Sequence, residues 1–303
     1  MIGIKKVFIV GSGLMGSGIA QVCAQRGLDV VLYDIDPEAL RKALKSIEWS
    51  VGKFVEKGEL KEDKTAIMSR IKSSSDFSEV GTCGLFIEAV FENLDLKREI
   101  FEKADALSMP ETLMASNTSS IPITEIAIAT KRPERVLGLH FFSPVPMMQA
   151  VEVIRGQSTS EDTMLKGKGF VVRIGKEPIM VNRDVAGFVI NRLNFPSSME
   201  AMRLVEEGIT TVEDIDKGVK LALGRRMGIF ETSDMVGLDV TYGALMSMYK
   251  ETGDPRWFPP MILRRKVKSG ELGRKTGKGW YEYDKEGRIK KVTSDKRAVT
   301  SDE

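Results

Sequence analysis

The chain's single histidine, His140, and a carboxylate set inside an apolar run, Glu152, share one stretch, VLGLHFFSPVPMMQAVEVI from Val136 to Ile154. Alternation places His140 on one strand face with Val136 and Gly138. Pro144 breaks the run, and Glu152 interrupts a second apolar segment, Ala150 to Ile154. The pattern predicts two short strands joined by a tight loop. An ionised carboxylate in a mostly buried strand is costly unless hydrogen bonded or paired, and the preceding strand supplies an imidazole that can become cationic. His140 and Glu152 are therefore expected to touch. The competing reading is a satisfied core histidine beside a glutamate that reaches solvent at a strand end, and this stretch alone leaves the two even.

A second chemical signal lies near the N-terminus. Lys5 and Lys6 before an apolar run through Ala24 superficially copy a secretory signal, but the glycines argue otherwise. KVFIV, GSGLMG and SGIAQVCAQRG read as strand, glycine turn and helix, with Gly11, Gly13 and Gly16 at dinucleotide-binding spacing. Gly11 permits the tight turn, Gly13 the close approach of backbone to a pyrophosphate, and Gly16 the packing of helix on strand. A second strand, Asp29 to Tyr33, ends at Asp34, where an acid accepts from the adenosine ribose hydroxyl and repels a 2′-phosphate. Asp36 adds to that repulsion, so NAD is favoured over NADP. The bland alternative makes Asp34 a turn residue only.

The elements that must carry these residues fit an ordinary globular chain. With 303 residues and 42% apolar side chains there is material for two domains. Lys and Arg number 45 against 43 acids, a net charge of +2 that gives no footprint for nucleic acid or an anionic membrane. Cys23 and Cys83 sit far apart in apolar surroundings and make no metal cluster with one histidine, which fits a reduced, cytoplasmic protein. From Pro37 a long helical stripe carries Leu40, Leu44, Ile47, Val51 and Phe54, and a second helix is expected over about Glu62 to Ile71, making a helical hairpin at about 37–72. Ser50 and Lys57, two turns apart, share a line at the border of the stripe. They could meet a phosphate, although a solvated helix edge fits that spacing better.

The doubly wound pattern then resumes with strand Leu85 to Val90, helix Leu94 to Ala106, strand Leu113 to Ser116, helix Ile123 to Ala129 and the His140 strand. Glu92 with Asn93, and Asn117 to Ser120, follow strand ends, the edge where an open α/β sheet binds its ligand, so Asn117 and Ser119 become site candidates. Ser120, before Pro122, reads as a turn or cap residue. After a last strand, Pro178 to Val181, the periodicity is helical to about Lys268. Phe188 to Glu207 predicts an amphipathic helix bent at Pro196, Thr211 with Asp214 a capping box for the next, closed by Gly224, and Pro259 and Pro260 the start of the last. The expected fold is α/β: a Rossmann-type, doubly wound, mostly parallel sheet over 1–184, an all-α domain over 185–284, and a polar tail over 285–303. Five methionines between Met227 and Met261 suit a homodimer interface on the helical domain.

GSGLMGSGIAQ, SNTSS, GLHFFSPVP with VEVI, GFVINRL and GRKTGKGWYEY occur in the order and spacing of L-3-hydroxyacyl-CoA dehydrogenases. The chain resembles that family over about Ile4 to Asp284, most nearly its 3-hydroxybutyryl-CoA branch. The resemblance implies an NAD-dependent enzyme of fatty-acid metabolism acting on an acyl-CoA. It makes His140 the catalytic base, Glu152 the carboxylate that orients it, and Ser119 and Asn191 the groups that hydrogen-bond the reacting oxygen. Gly11, Gly13, Leu14, Met15 and Gly16 of the turn, with Asp34, Glu92, Lys97 and Asn117, match cofactor contacts. Ser50 and Lys57 match contacts to coenzyme A, which reverses the solvated-edge reading.

Three departures bear on the acyl pocket: Ser143 stands where the family usually has Asn, Ala186 where it has Pro, and Arg226, Met227, Gly228 and Ile229 replace a Pro-Met-Gly-Pro turn. The rival functions are oxidation of a free hydroxy acid or sugar acid, which would not need Ser50 and Lys57, and a non-catalytic dinucleotide-binding protein, which should lack part of the catalytic set.

Overall fold

The computed structural model describes residues 3–290 and falls into two compact units, 1–192 and 193–303. The first begins with β1 (Lys6–Val10), α1 (Leu14–Gln25), β2 (Asp29–Tyr33), α2 (Pro37–Glu56), α3 (Lys64–Met68) and β3 (Ile71–Ser74). It continues through β4 (Leu85–Glu88), α4 (Leu94–Leu107), β5 (Leu113–Ser116), α5 (Ile123–Ala127), β6 (Val136–Phe141), β7 (Ala150–Ile154), α6 (Glu161–Arg173) and β8 (Glu177–Val181). The eight strands lie in the order β3-β2-β1-β4-β5-β6-β7-β8, and every adjacent pair is parallel except β6 with β7. The first six strands thus form the doubly wound dinucleotide-binding sheet.

Strands buried on both faces read as continuous apolar runs. In β1, Val7 and Ile9 enter one core with Ile19 of α1 and Ile47 of α2, while Phe8 and Val10 enter the other with Phe101 of α4 and Ile126 of α5.

Several elements differ from the sequence reading. The helix expected over Glu62 to Ile71 is α3 alone, and Ile71 starts an edge strand, β3, whose polar KSS ending carries no apolar signal. The segment joining β6 to β7, 142–149, is no tight hairpin. Helix α6 escaped notice because Gly167 interrupts its pattern; a Cβ there would meet Leu137 Cδ1 at 2.3 Å, so the glycine serves close helix-to-sheet packing. Residues 185–192 cluster with the first unit rather than beginning the second, since Phe188 packs in its core.

The second unit takes most of α7 (Ile190–Glu206), then α8 (Val212–Leu223), α9 (Ile229–Val236), α10 (Leu238–Thr252) and α11 (Met261–Lys268). Thr211 caps α8 through Asp214 N–H, and Gly224 ends it at φ +68°. Two buried carboxylates fasten the turn-rich close of this unit. Asp216 accepts from Phe230 N, Glu231 N and Tyr281 Oη, and Asp234 from Trp280 N, Tyr281 N and Tyr283 Oη. The first residues of the polar tail expected from Lys285 are tied back to the fold: Tyr283 bridges Ile289, and Lys290 N–H donates to Glu282 O. The rest of that tail, 291–303, lies outside the described residues.

Candidate active site

The antiparallel register sets His140 directly opposite Glu152, so their side chains share a face. His140 Nδ1 lies 2.7 Å from Glu152 Oε2, and its Nε2 lies 3.1 Å from Ser119 Oγ. The other carboxylate oxygen, Oε1, accepts from Val189 and Ile190 N–H, both at 2.9 Å. Glu152 is fully buried, and an ionised carboxylate only accepts. A proton on Nδ1 would complete the contact with Glu152, and Nε2 is the ring nitrogen turned toward Ser119.

Those two amides are aimed by a strained turn. Phe188 adopts φ +44°, a left-handed conformation that costs a non-glycine residue about 1–2 kcal/mol. Its ring packs 5.7 Å from the imidazole, and Phe142 packs on the ring at 4.6 Å. Asn191 follows Ile190 directly, half-buried and without a side-chain hydrogen bond among the described residues.

Ser119 is held by a network behind it. Glu92 Oε1 accepts from Thr118 Oγ1 at 2.6 Å, Ser119 N at 2.9 Å, and Ser120 N and Oγ at 3.0 Å each. Burial pushes the Glu92 carboxyl up, but Lys97 and these donors outweigh it, and the net displacement is below the usual range. Lys97, 1% exposed, has its ammonium 2.7 Å from Glu88 Oε1, 3.3 Å from Glu92 Oε2 and 3.4 Å from Val90 O. Three protons meet three acceptors, so in this structure Lys97 positions Glu92. Sequence reasoning passed over Glu88, which also accepts from Ser116 Oγ at 2.6 Å. Its signal was the one that singled out Glu152: a lone acid in an apolar strand. Asn117 Oδ1 accepts from Phe141 N–H, tying the end of β5 to the His140 strand.

At the neighbouring strand end, Gly11 sits at φ +96° with Ala89 O 2.6 Å from where a Cβ would stand, and a Cβ on Gly16 would strike Gly11 O at 1.8 Å. Around Gly13 the same test meets nothing within 4 Å, and Leu14 beside it is exposed, with Met15 half-buried. The turn is thus tight where strand and helix meet and open where a pyrophosphate would approach, so the residues fit a dinucleotide. Asp34 Oδ2 accepts from Ser12 N at 2.8 Å and Ser12 Oγ at 2.7 Å, and Oδ1 from Asp36 N at 3.1 Å. One lone pair on Oδ1 remains for a ribose hydroxyl. Ser50 on α2 is half-buried and Lys57, at its C-cap, is exposed; neither has a side-chain partner among the described residues. Among the departures, Ser143 lies three residues beyond His140, Ala186 is buried before Phe188, and Arg226–Ile229 lead into α9.

A dinucleotide turn and a histidine–carboxylate pair at one edge of a Rossmann sheet define an oxidoreductase of the dinucleotide-dependent class. Residues 6–185 match the family model described as 3-hydroxyacyl-CoA dehydrogenase, NAD binding domain, and residues 187–283 its C-terminal domain. The chain belongs to the 3-hydroxyacyl-CoA dehydrogenase family, and its cofactor is NAD. It is 42% identical over 282 residues to a probable 3-hydroxybutyryl-CoA dehydrogenase of Bacillus subtilis, covering 93% of this chain and 98% of the relative. It is also 42% identical to the mitochondrial hydroxyacyl-coenzyme A dehydrogenase of Rattus norvegicus, over 92% of this chain and 91% of that one. A solved (S)-3-hydroxybutyryl-CoA dehydrogenase from Ralstonia eutropha superposes with a TM-score of 0.87 at 41% identity, over 93% of this chain and 100% of the other.

Proposed function

We propose that the chain oxidises a short-chain L-3-hydroxyacyl-CoA, such as 3-hydroxybutyryl-CoA, reversibly to the 3-ketoacyl-CoA, with His140 as general base. The observation that supports this is the geometry at His140: the buried Glu152 carboxylate lies 2.7 Å from Nδ1, and Nε2 faces Ser119 Oγ at 3.1 Å, where a substrate hydroxyl would be met. Bound NAD supplies the hydride acceptor. His140 removes the C3 hydroxyl proton and returns it in reduction, while Glu152, held by two backbone amides, stabilises the imidazolium. Ser119 and Asn191 hold the reacting oxygen so that C3 is presented in one orientation. Asp34 accepts from the adenosine ribose. Leu14, Met15 and Asn117 line the cofactor path, and Glu92, with Lys97 behind it, sets the loop that carries Ser119.

Ser50 and Lys57, unpaired on α2, hold the nucleotide end of coenzyme A. The short acyl preference rests on relatives named for 3-hydroxybutyryl-CoA. A cytoplasmic homodimer completes the reading: both cysteines are unpaired, and among the described residues no helix is long and apolar enough to cross a membrane. A panel of 3-hydroxyacyl-CoA thioesters and the free hydroxy acids, each run with NAD and NADP, tests it. Turnover should be fastest with a short-chain thioester and NAD. Equal turnover of free 3-hydroxybutyrate would transfer the chain to the hydroxy-acid reading.

A further inference from the structure

Lys176, the residue before β8, is 5% exposed and has no carboxylate in ion-pair reach among the described residues. Its Nζ donates instead to Met148 O at 2.6 Å, Val145 O at 2.8 Å and Pro146 O at 3.3 Å. An ammonium placed among neutral carbonyls loses hydration without gaining a counter-charge. Burial, and then the like charge of Arg26, push it below the ordinary lysine range. The fold therefore keeps a charge where charge is disfavoured, and the gain is geometric: three donors gather three carbonyls of one loop.

That loop, 142–149, joins the strand of His140 to the strand of Glu152. Its first residue, Phe142, packs on the imidazole ring at 4.6 Å. Its middle residue, Val145, is buried against α1, where a Cβ on Gly18 would come within 2.8 Å of Val145 Cβ. Its end is tied beside Lys176, since Glu177 N–H donates to Gln149 O at 2.9 Å. The loop thus spans from the helix that follows the glycine turn to the histidine itself.

We propose that Lys176 is a positioning residue for hydride transfer: by holding the carbonyls of 145, 146 and 148 it fixes the helix of the cofactor turn against His140. The proposal rests on His140 being the base. A failure of that reading shows as turnover retained in His140→Gln, and a failure of this one as turnover retained in Lys176→Met.

The test is the kinetics of Lys176→Met, which keeps length and removes the donors. Misplacing reacting groups by a fraction of an ångström to an ångström lowers kcat by about tenfold to a hundredfold. The KM for 3-hydroxybutyryl-CoA and the affinity for NADH should change by less than about threefold, because the glycine turn is untouched. The primary isotope effect on kcat with substrate deuterated at C3 should rise, since hydride transfer becomes slower relative to product release. A lowered Tm with kcat per folded molecule and isotope effect at their intact values overturns the proposal. Should Lys176→Met fail to fold, Val145→Ala loosens the same loop from Gly18 without touching the ammonium. The same kcat loss and isotope effect then support the proposal, and an unchanged kcat overturns it.

Discussion

At the residue scale the central fact is how Glu152 divides its oxygens, one on His140 Nδ1 and the other on two backbone amides. His140→Gln keeps much of the side-chain volume but no group to take the proton, so turnover should fall about 10²- to 10⁴-fold with NADH binding nearly intact. Glu152→Gln removes the charge that orients the imidazole and faces the imidazolium, so kcat should fall about tenfold to a hundredfold with part of the activity kept. Steady-state rates for both variants decide this, and an unchanged kcat in Glu152→Gln would deny the carboxylate its assigned part.

At the element scale, α2 separates a thioester enzyme from a free-acid enzyme. Ser50 and Lys57 sit two turns apart at the edge of its buried face of Leu40, Ala43, Ile47 and Val51. A contact that far in sequence from the chemistry is equally strong in ground and transition states, so Lys57→Ala should raise KM for the acyl-CoA with little change in kcat. Because Lys57 is exposed, the effect should be modest, about threefold to tenfold, and added salt should weaken the intact enzyme more than the variant. Lys57→Ala with KM unchanged for every thioester would remove α2 from the substrate site.

At the scale of the whole molecule, α8 keeps only Asp216 buried, while Leu221 and Leu223 are 78% and 69% exposed. Apolar side chains this open on one helix suit an interface between copies, and a net charge of +2 opposes association little. Sedimentation should give twice the chain mass for the intact protein and the chain mass for Leu221→Lys with Leu223→Lys. A monomer in the unaltered protein would exclude the homodimer.

The glycine turn, the strand ending at Asp34, and the buried signature of Glu152 beside a lone histidine were legible in the sequence because each is local: spacing, alternation, or one charge in an apolar run. Local patterns also announced the doubly wound order and the caps of α8. Edge strand β3 and helix α6 were not legible, since KSS lacks apolar alternation and Gly167 serves packing on Leu137 rather than helix propensity. Nor could the sequence say what Glu88 and Lys176 do, because the contacts with Lys97, Ser116 and Val145 that define them reach 9, 28 and 31 positions along the chain. The register of β6 on β7 and the left-handed turn at Phe188 are likewise tertiary decisions. A carboxylate buried in a strand has to be satisfied, and only the folded chain determines that an imidazole and two backbone amides do so.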